Sequence, residues 1–386
     1  MAAKKKVSFF LIPIFLGVFL FPTFRAWTQM EGDVIEELKL YSKAIGVILQ
    51  AYVGNVKPRQ LLYEAVRGML ASLDRFSEFI DPEKYKLLKM SMKGEYVGIG
   101  VKLEIVDEFP FVKGMQPGSP AEKVGVKIDD KILEVDGKSV KGLPMQEIAS
   151  MLRGEEEVPL SLLIFREATQ EMLGFDVVRE KIVIEAIKDV RLVGRAIGYM
   201  RIDEFSEHTA GQFDESYAKL KAQGAKALIM DFRNNQGGLM TAAVDLAERF
   251  LPEGEKIVSV DSKIPEQKKE YISSGKKMIK DRFPLVILVN QLSASSSEIF
   301  SSAMQEHKRG TIVGMKTFGK ASAQSVVPLD DVSAMKFTTA RYVTSLGKVI
   351  DGIGIEPDYV IENGPPGSPG SDKQTVKALE LLREYM

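Results

Sequence analysis

Cysteine is absent from this 386-residue chain, and it holds only two histidines, His208 and His307, and one tryptophan. The missing thiols exclude disulfides, thiolate metal sites and a cysteine nucleophile. They assign no compartment, because an exported protein can also lack Cys. Two histidines are too few for a His-rich metal centre. An excess of charge of one sign is lacking as well: 52 Lys and Arg against 53 Asp and Glu leave a net charge of −1, which argues against nucleic acid as a partner. What remains is a globular balance, 45% hydrophobic and 27% charged, in a chain long enough for two or three domains.

The termini show the first organisation. Lys4, Lys5 and Lys6 precede an apolar run over residues 7–24, which Arg25 closes. A charged segment followed by an apolar core is the pattern of an export signal. Pro13 and Pro22 interrupt the run, and cleavage after Ala26 would put the bulky Phe24 at the −3 position. Residues 1–28 are therefore read as export-directed, either cleaved or kept as an inner-membrane anchor, with a periplasmic or otherwise extracytoplasmic body. Residues 29–93 carry Val34, Leu38, Tyr41, Ile45 and Ile48, then Leu61, Leu62, Ala65, Val66 and Met69, at helical spacing. They predict an N-terminal helical region whose apolar positions suit domain core or a second subunit equally. At the other end, residues 363–386 read as a Pro/Gly linker and an amphipathic helix with Val376, Leu379 and Leu382.

Residues 94–178 are punctuated by glycine and β-like. The block GSPAEKVGVKIDDKILEVDGKSV resembles the middle of a PDZ domain. In that family a glycine-rich strand edge, here Gly98, Ile99, Gly100 and Val101, binds the C-terminal carboxylate of a peptide. Consecutive N–H groups can cradle an anion, and an open strand edge can accept an added strand. Residues 179–362 alternate strands (197–202, 227–232, 257–260, 285–289, 311–313, 324–329, 334–343) with helices (209–222, 239–250). This predicts an α/β core with a mixed, largely parallel sheet. The Lys-rich stretch 261–282 reads as a solvated loop or helix.

The chemistry concentrates in residues 286–324. A strand runs into Ser293-Ala294-Ser295-Ser296-Ser297-Glu298, and a Gly-rich turn carrying Lys320 follows the next strand. Ser295 and Glu298 fit a helix capping box, which alone is structural. A Ser–His triad is disfavoured: His307 lies twelve residues along the same helix, roughly 18 Å away by helical rise, and His208 reads as an exposed helix start. GMKTFGKA nearly matches a phosphate loop, but Ala321 replaces the magnesium-binding hydroxyl and a strand follows where a helix should. A Ser–Lys pair is the third reading, beside the plain alternative of a solvated lysine in a turn. A lysine acts as a base only when burial, away from carboxylates, lowers its pKa, and no acid lies within several residues of Lys320. Asp231-Phe232-Arg233-Asn234-Asn235-Gln236-Gly237-Gly238 stands where a strand becomes a helix and can present N–H donors to an oxyanion.

Taken in order, DRFSEF, the PDZ block, DFRNNQGG, the serine corner, TFGKASAQ, TTARYVT and GIGIEPD resemble the carboxyl-terminal processing (tail-specific) proteases over nearly the whole mature chain. The resemblance implies an α/β protease core with an inserted PDZ domain and an N-terminal helical region. It implies an exported serine endopeptidase that captures unstructured C-terminal tails on the PDZ domain, with no metal and no other cofactor. Ser295 would be the nucleophile, Lys320 the general base and Gln324 the residue that orients it. Gly237 or Gly238, with the Ser296 N–H, would form the oxyanion hole, and Arg153 aligns with an arginine that senses bound substrate. An adaptor protein and a homo-oligomer joined through the N- and C-terminal helices are compatible partners. The chain departs from the family pattern at Gln236 for proline, Ser296 for alanine and Ala321 for glycine. The alternative is a non-catalytic PDZ scaffold with a degenerate protease domain.

Overall fold

The computed structural model describes residues 32–383, apart from 277–278, 280–282, 331 and 366–369. The export segment expected over residues 1–28 lies outside the described residues. Among the described residues, no helix is long and apolar enough to cross a membrane.

The described residues divide into two compact units, one ending at Met69 and the other beginning at Leu70. The first contains α1 (Gly32–Ala51) and most of α2 (Pro58–Ala71). Proline opens α2, where its missing N–H has no helical partner to lose. On α1, Val34, Ile35, Leu38, Val47 and Ile48 are exposed.

In the second unit, the stretch expected to be wholly helical instead contains β1 (Glu78–Ile80) before α3 (Pro82–Lys93). Phe79 and Ile80 are buried, and the strand pairs antiparallel with residues 334–336. Three residues offer no helical periodicity, so only their long-range pairing makes them a strand. β2 (Glu95–Gly98) then leads into the PDZ fold: β3 (Val101–Val106), β4 (Phe109–Met115), α4 (Pro120–Lys123), β5 (Lys131–Val135), β6 (Lys138–Ser139), α5 (Met145–Leu152), β7 (Pro159–Arg166) and β8 (Glu171–Val178). Its sheet has the order β3-β4-β5-β7-β8, with β6 on β5. β9 (Glu180–Val183) returns antiparallel to β2, so a two-stranded ribbon joins the PDZ fold to the rest.

The remaining elements are β10 (Ile187–Val193), β11 (Ile197–Ile202), α6 (Thr209–Ala222), β12 (Ala227–Asp231), α7 (Met240–Ala247), β13 (Lys256–Ser262), β14 (Lys269–Ile272), β15 (Leu285–Val289), α8 (Ser296–Glu306), β16 (Thr311–Gly314), β17 (Ser322–Pro328), β18 (Ala334–Thr344), β19 (Tyr359–Val360) and α9 (Lys373–Arg383). The main sheet has the order β10-β11-β12-β15-β16-β19, parallel except at β10. β12 and β15 are buried at every residue, as strands covered on both faces must be. One face packs on Phe213, Phe250 and Phe300 of the helical side, and α9 covers the other through Ala378 and Leu382. A second, antiparallel sheet is β1-β18-β13-β14, with β17 on β18. The Lys-rich stretch expected as a loop or helix supplies β14, because Tyr271 packs on the core while Lys256 and Glu270 pair at 2.9 Å in solvent.

Phe300 is fully buried, with its ring 5.2 Å from Phe232 and 5.5 Å from Phe250. Phe300→Ala is expected to destabilise the second unit by about 3–5 kcal/mol, read as a lower urea midpoint at unchanged m-value.

Candidate active site

Three neighbouring parallel strands, β12, β15 and β16, release three loops at their C-terminal ends: the glycine turn at 232–239, the serine corner at 290–295 and the lysine loop at 315–321. This is where open parallel sheets place ligands. The serine corner is the middle one, so the other two flank it.

Ser295 is the N-cap of α8, with φ 56° and ψ −114°. A side chain other than glycine in this region carries about 1–3 kcal/mol of strain. The Glu298 carboxylate offsets part of it by accepting the Ser295 N–H at 2.8 Å. Glu298 does more than cap. It is fully buried and also accepts from Thr317 Oγ1 at 2.5 Å and from the N–H groups of Gly319 and Lys320 at 2.8 and 2.9 Å. One carboxylate therefore fixes the serine corner to the lysine loop. The SxxE spacing exposes only the cap to a reader of the sequence, because the other donors lie about twenty residues downstream.

The glycine turn is joined to the serine corner as tightly. The Asn235 carbonyl accepts the Ala294 N–H and the Ser297 hydroxyl, both at 3.0 Å, and the Phe232 carbonyl accepts the Ser293 hydroxyl at 2.8 Å. Gly237 has φ +104°, and a Cβ there would stand 2.8 Å from Ser295 Cβ and 3.0 Å from the Ser296 nitrogen. Gly238, at φ +141°, would drive a Cβ to 2.1 Å from the Phe205 carbonyl oxygen. The Gly237 N–H donates to Asn235 Oδ1 at 2.8 Å. The N–H groups of Gly238 and Ser296 have no partner among the described residues, and Ser296 opens α8, whose N-terminus favours negative charge. Of the two glycines expected as alternative donors, Gly238 is the one with a free N–H here. On the turn itself, Arg233 folds back on the buried Asp231, its Nε 2.9 Å from both carboxylate oxygens.

Lys320 is half-buried. Burial depresses its pKa below the usual lysine value, and the Lys336 and Arg75 charges push the same way against Glu78 and Glu298. Its Nζ lies 4.8 Å from the centre of the Phe76 ring, so the DRFSEF segment covers it. No sequence neighbour of Lys320 is acidic, but Glu298 is adjacent in space through the backbone. Gln324 begins its pairing at a bulge in β17, and its Nε2 donates to Ser322 Oγ at 3.0 Å and Thr338 Oγ1 at 3.3 Å. Among the described residues no hydrogen bond joins Lys320 Nζ to Ser295 Oγ or to Gln324. The two histidines lie elsewhere: His307 caps α8 at its far end, 2.9 Å from Glu255, and His208 stands 3.8 Å from Glu95. No cluster of metal-binding side chains occurs among the described residues.

In the PDZ fold, β3 is an outer strand, and a groove of about 100 Å³ runs between it and α5. Ile99, Gly100, Val101, Leu103, Ala149 and Leu152 line it. The carbonyls of Ile99 and Gly100 accept from Ala121 and Gln116 at 3.1 and 2.9 Å, while the N–H groups of Ile99 and Gly100 have no partner among the described residues. Gly98 ends β2 at the mouth of this loop. Arg153 follows α5 directly, lines the groove and stacks 5.1 Å over the Tyr96 ring of β2.

Residues 196–361 match the model of peptidase family S41, and residues 111–166 match a PDZ-domain model. The chain is 34% identical over 371 residues to a carboxy-terminal-processing protease of Bartonella bacilliformis, spanning 94% of this chain and 84% of that protein. It is 36% identical over 338 residues to a carboxyl-terminal-processing protease of Synechocystis, spanning 85% and 78%. The solved photosystem II D1 C-terminal processing protease is 30% identical, spans 87% of this chain and 96% of its own, and superposes with a TM-score of 0.47.

Glu298→Ala would strip the acceptor from one side-chain and three backbone donors at once. It is expected to destabilise by about 3–5 kcal/mol, as removing one member of a buried charged network does, measured by denaturant unfolding. Stability within 0.5 kcal/mol of the parent, roughly the scatter of a neutral surface change, would contradict this role.

Proposed function

The chain belongs to the carboxyl-terminal-processing proteases of peptidase family S41, and from that premise we propose that it is an exported serine endopeptidase that cuts unstructured C-terminal tails by a Ser295–Lys320 dyad. The observation that carries this reading is the joint position of Ser295, Lys320 and the two free N–H donors on adjacent strand ends, with the serine corner and the lysine loop held together by one buried carboxylate. A scaffold that only bound peptides would gain nothing from a half-buried lysine of lowered pKa beside a strained serine.

In this mechanism the tail's last residues lie in the groove between β3 and α5 as an added strand, its carboxylate on the N–H groups of Ile99 and Gly100. An apolar final residue suits the lining of Ile99, Ala149 and Leu152. Ser295 Oγ attacks a backbone carbonyl of the tail, and neutral Lys320 takes its proton. The Gly238 and Ser296 N–H groups receive the oxyanion, where charge develops only in the transition state. Lys320 then protonates the leaving amine, and water hydrolyses the acyl-enzyme. The Ser295–Lys320 hydrogen bond forms in the substrate complex, as catalytic contacts commonly tighten there; Gln324 then turns from Ser322 and Thr338 to orient the lysine. Arg153, between groove and ribbon, reports occupancy of the groove. The lysines and apolar run of residues 1–28 direct export and, if retained, would anchor the chain.

Ser295→Ala and Lys320→Ala are each expected to lower cleavage of a disordered peptide with an apolar C-terminus by at least about 10³-fold, with the unfolding midpoint preserved. Full activity in folded Ser295→Ala would sink the assignment.

The lysine's environment sets a pH dependence. Lys320 must be neutral to act, so kcat/KM should rise with pH through its depressed pKa. Lys336 lowers that pKa and Glu78, paired to Lys336 at 2.6 Å, raises it. Lys336→Met should therefore move the rise to higher pH and Glu78→Gln to lower pH. Identical pH profiles in both variants would refute this account of the base.

A further inference from the structure

The turn that carries the oxyanion glycines has an anchor in a distant part of the sequence. Arg233 is the pivot. Its Nε and Nη2 lie on the buried Asp231 carboxylate, which also receives the Tyr199 hydroxyl at 2.7 Å. The other edge of the guanidinium faces away from Asp231. There Nη1 donates to Asp372 Oδ1 at 2.7 Å and to Gln374 Oε1 at 3.3 Å, and Nη2 donates to Asp372 Oδ2 at 3.2 Å. A guanidinium between two carboxylates, each engaged through both oxygens, is held in plane and cannot swing.

Asp372 is itself fixed. It immediately precedes α9, and its carboxylate accepts the Thr375 N–H at 3.1 Å and the Thr375 hydroxyl at 2.7 Å. Burial alone would raise its pKa, yet the bonds from Arg233 and Thr375 outweigh that and hold it below the ordinary Asp value, so it stays charged. The helix behind it docks on the main sheet through Ala378 and Leu382, against Tyr199 among others. The carboxylate thus ties the start of α9 to the turn.

We propose that Asp372 is a positioning residue for the oxyanion turn: from its place just before α9 it locks Arg233 against Asp231. This inference rests on the proteolytic reading of Ser295. The route is short. Arg233 is followed by Asn234, whose N–H donates to Asn290 Oδ1 at 3.0 Å, and by Asn235, which ties the turn to Ala294 and Ser297. A guanidinium freed on one edge loosens the turn, and with it the Gly238 N–H. That donor meets charge only in the transition state, so the loss falls on kcat and not on KM.

The test uses the full chain with Asp372→Asn, Asp372→Glu, Leu382→Ala and Ser295→Ala, measuring kcat, KM and thermal midpoint with one disordered peptide. Leu382 is buried in the apolar cluster that α9 forms with the sheet, so its truncation weakens α9 docking. Asp372→Asn is expected to lower kcat by about 10-fold or more, a fraction of what loss of a whole oxyanion donor costs, with KM within about twofold. Asp372→Glu should recover part of kcat, and Leu382→Ala should lower the midpoint further than Asp372→Asn while keeping kcat. Parental kcat in Asp372→Asn overturns the proposal. So does a loss of kcat that tracks the loss of thermal midpoint across Asp372→Asn and Leu382→Ala, which marks a structural staple only. Ser295→Ala separates the two levels: cleavage that survives it defeats the proteolytic reading, whereas cleavage lost there but retained in Asp372→Asn defeats this inference alone.

Discussion

A buried carboxylate is costly unless every lone pair is used. Glu298 meets that condition with donors drawn from two separate loops, and this constrains the whole site. The donors must converge, so the serine corner cannot shift without the lysine loop. Thr317 makes the link longer: its hydroxyl donates to Glu298 and accepts the Ile355 N–H at 2.7 Å, drawing the GIGIEPD segment into the same network. The positive φ of Ser295 persists because its N–H has this one strong acceptor.

Lys320, the proposed base, sits in a different balance. Lys320 needs enough burial to lose its proton near neutral pH, but a nearby carboxylate would restore it. Glu298 is adjacent, yet its oxygens are occupied by backbone and hydroxyl donors, and it touches the lysine through the main chain rather than the ammonium. Arg75 and Lys336 tilt the field the other way, while the Phe76 ring excludes water from one side. The aromatic face also attracts the cation, which limits how far the shift can go. Arg75 and Phe76 lie just before β1 and Lys336 lies on β18, and β1 pairs with β18, so the second sheet brings Lys320's cover and its neighbouring charges together.

Much of this was legible in the chain. The strands at 197–202 and 285–289 and the helix at 209–222 coincide with β11, β15 and α6, because continuous apolar runs and helical spacing are local signals. The near-miss phosphate loop runs into β17 as read. What stayed hidden was long-range. DRFSEF was a motif without a reason until Phe76 was seen over Lys320. Glu298 looked like a cap because its other donors are Thr317, Gly319 and Lys320. β14 was masked by its lysines, since half of an edge strand faces solvent and reads as a loop. Asp372, beyond a Pro/Gly stretch, gave no sign of meeting Arg233.

The distribution of strain and anchoring follows one pattern. The proposed nucleophile and its neighbouring turn sit on the least favourable backbone: Ser295 at positive φ, Gly237 and Gly238 in conformations a side chain would forbid. Each is flanked by a buried polar residue with its hydrogen bonds filled, Glu298 for the serine and Asn235 for the glycines. Such residues give little net stability, since the same groups were hydrated in the unfolded chain. Their effect is to make alternative loop geometries worse, because any shift leaves a buried donor or acceptor unpaired. Stability itself comes from the apolar layers on either side of the sheet, where Phe300 and Leu382 lie. Precision at the strand ends and cohesion in the core thus reside in different residues, which lets a strained site persist on a stable sheet.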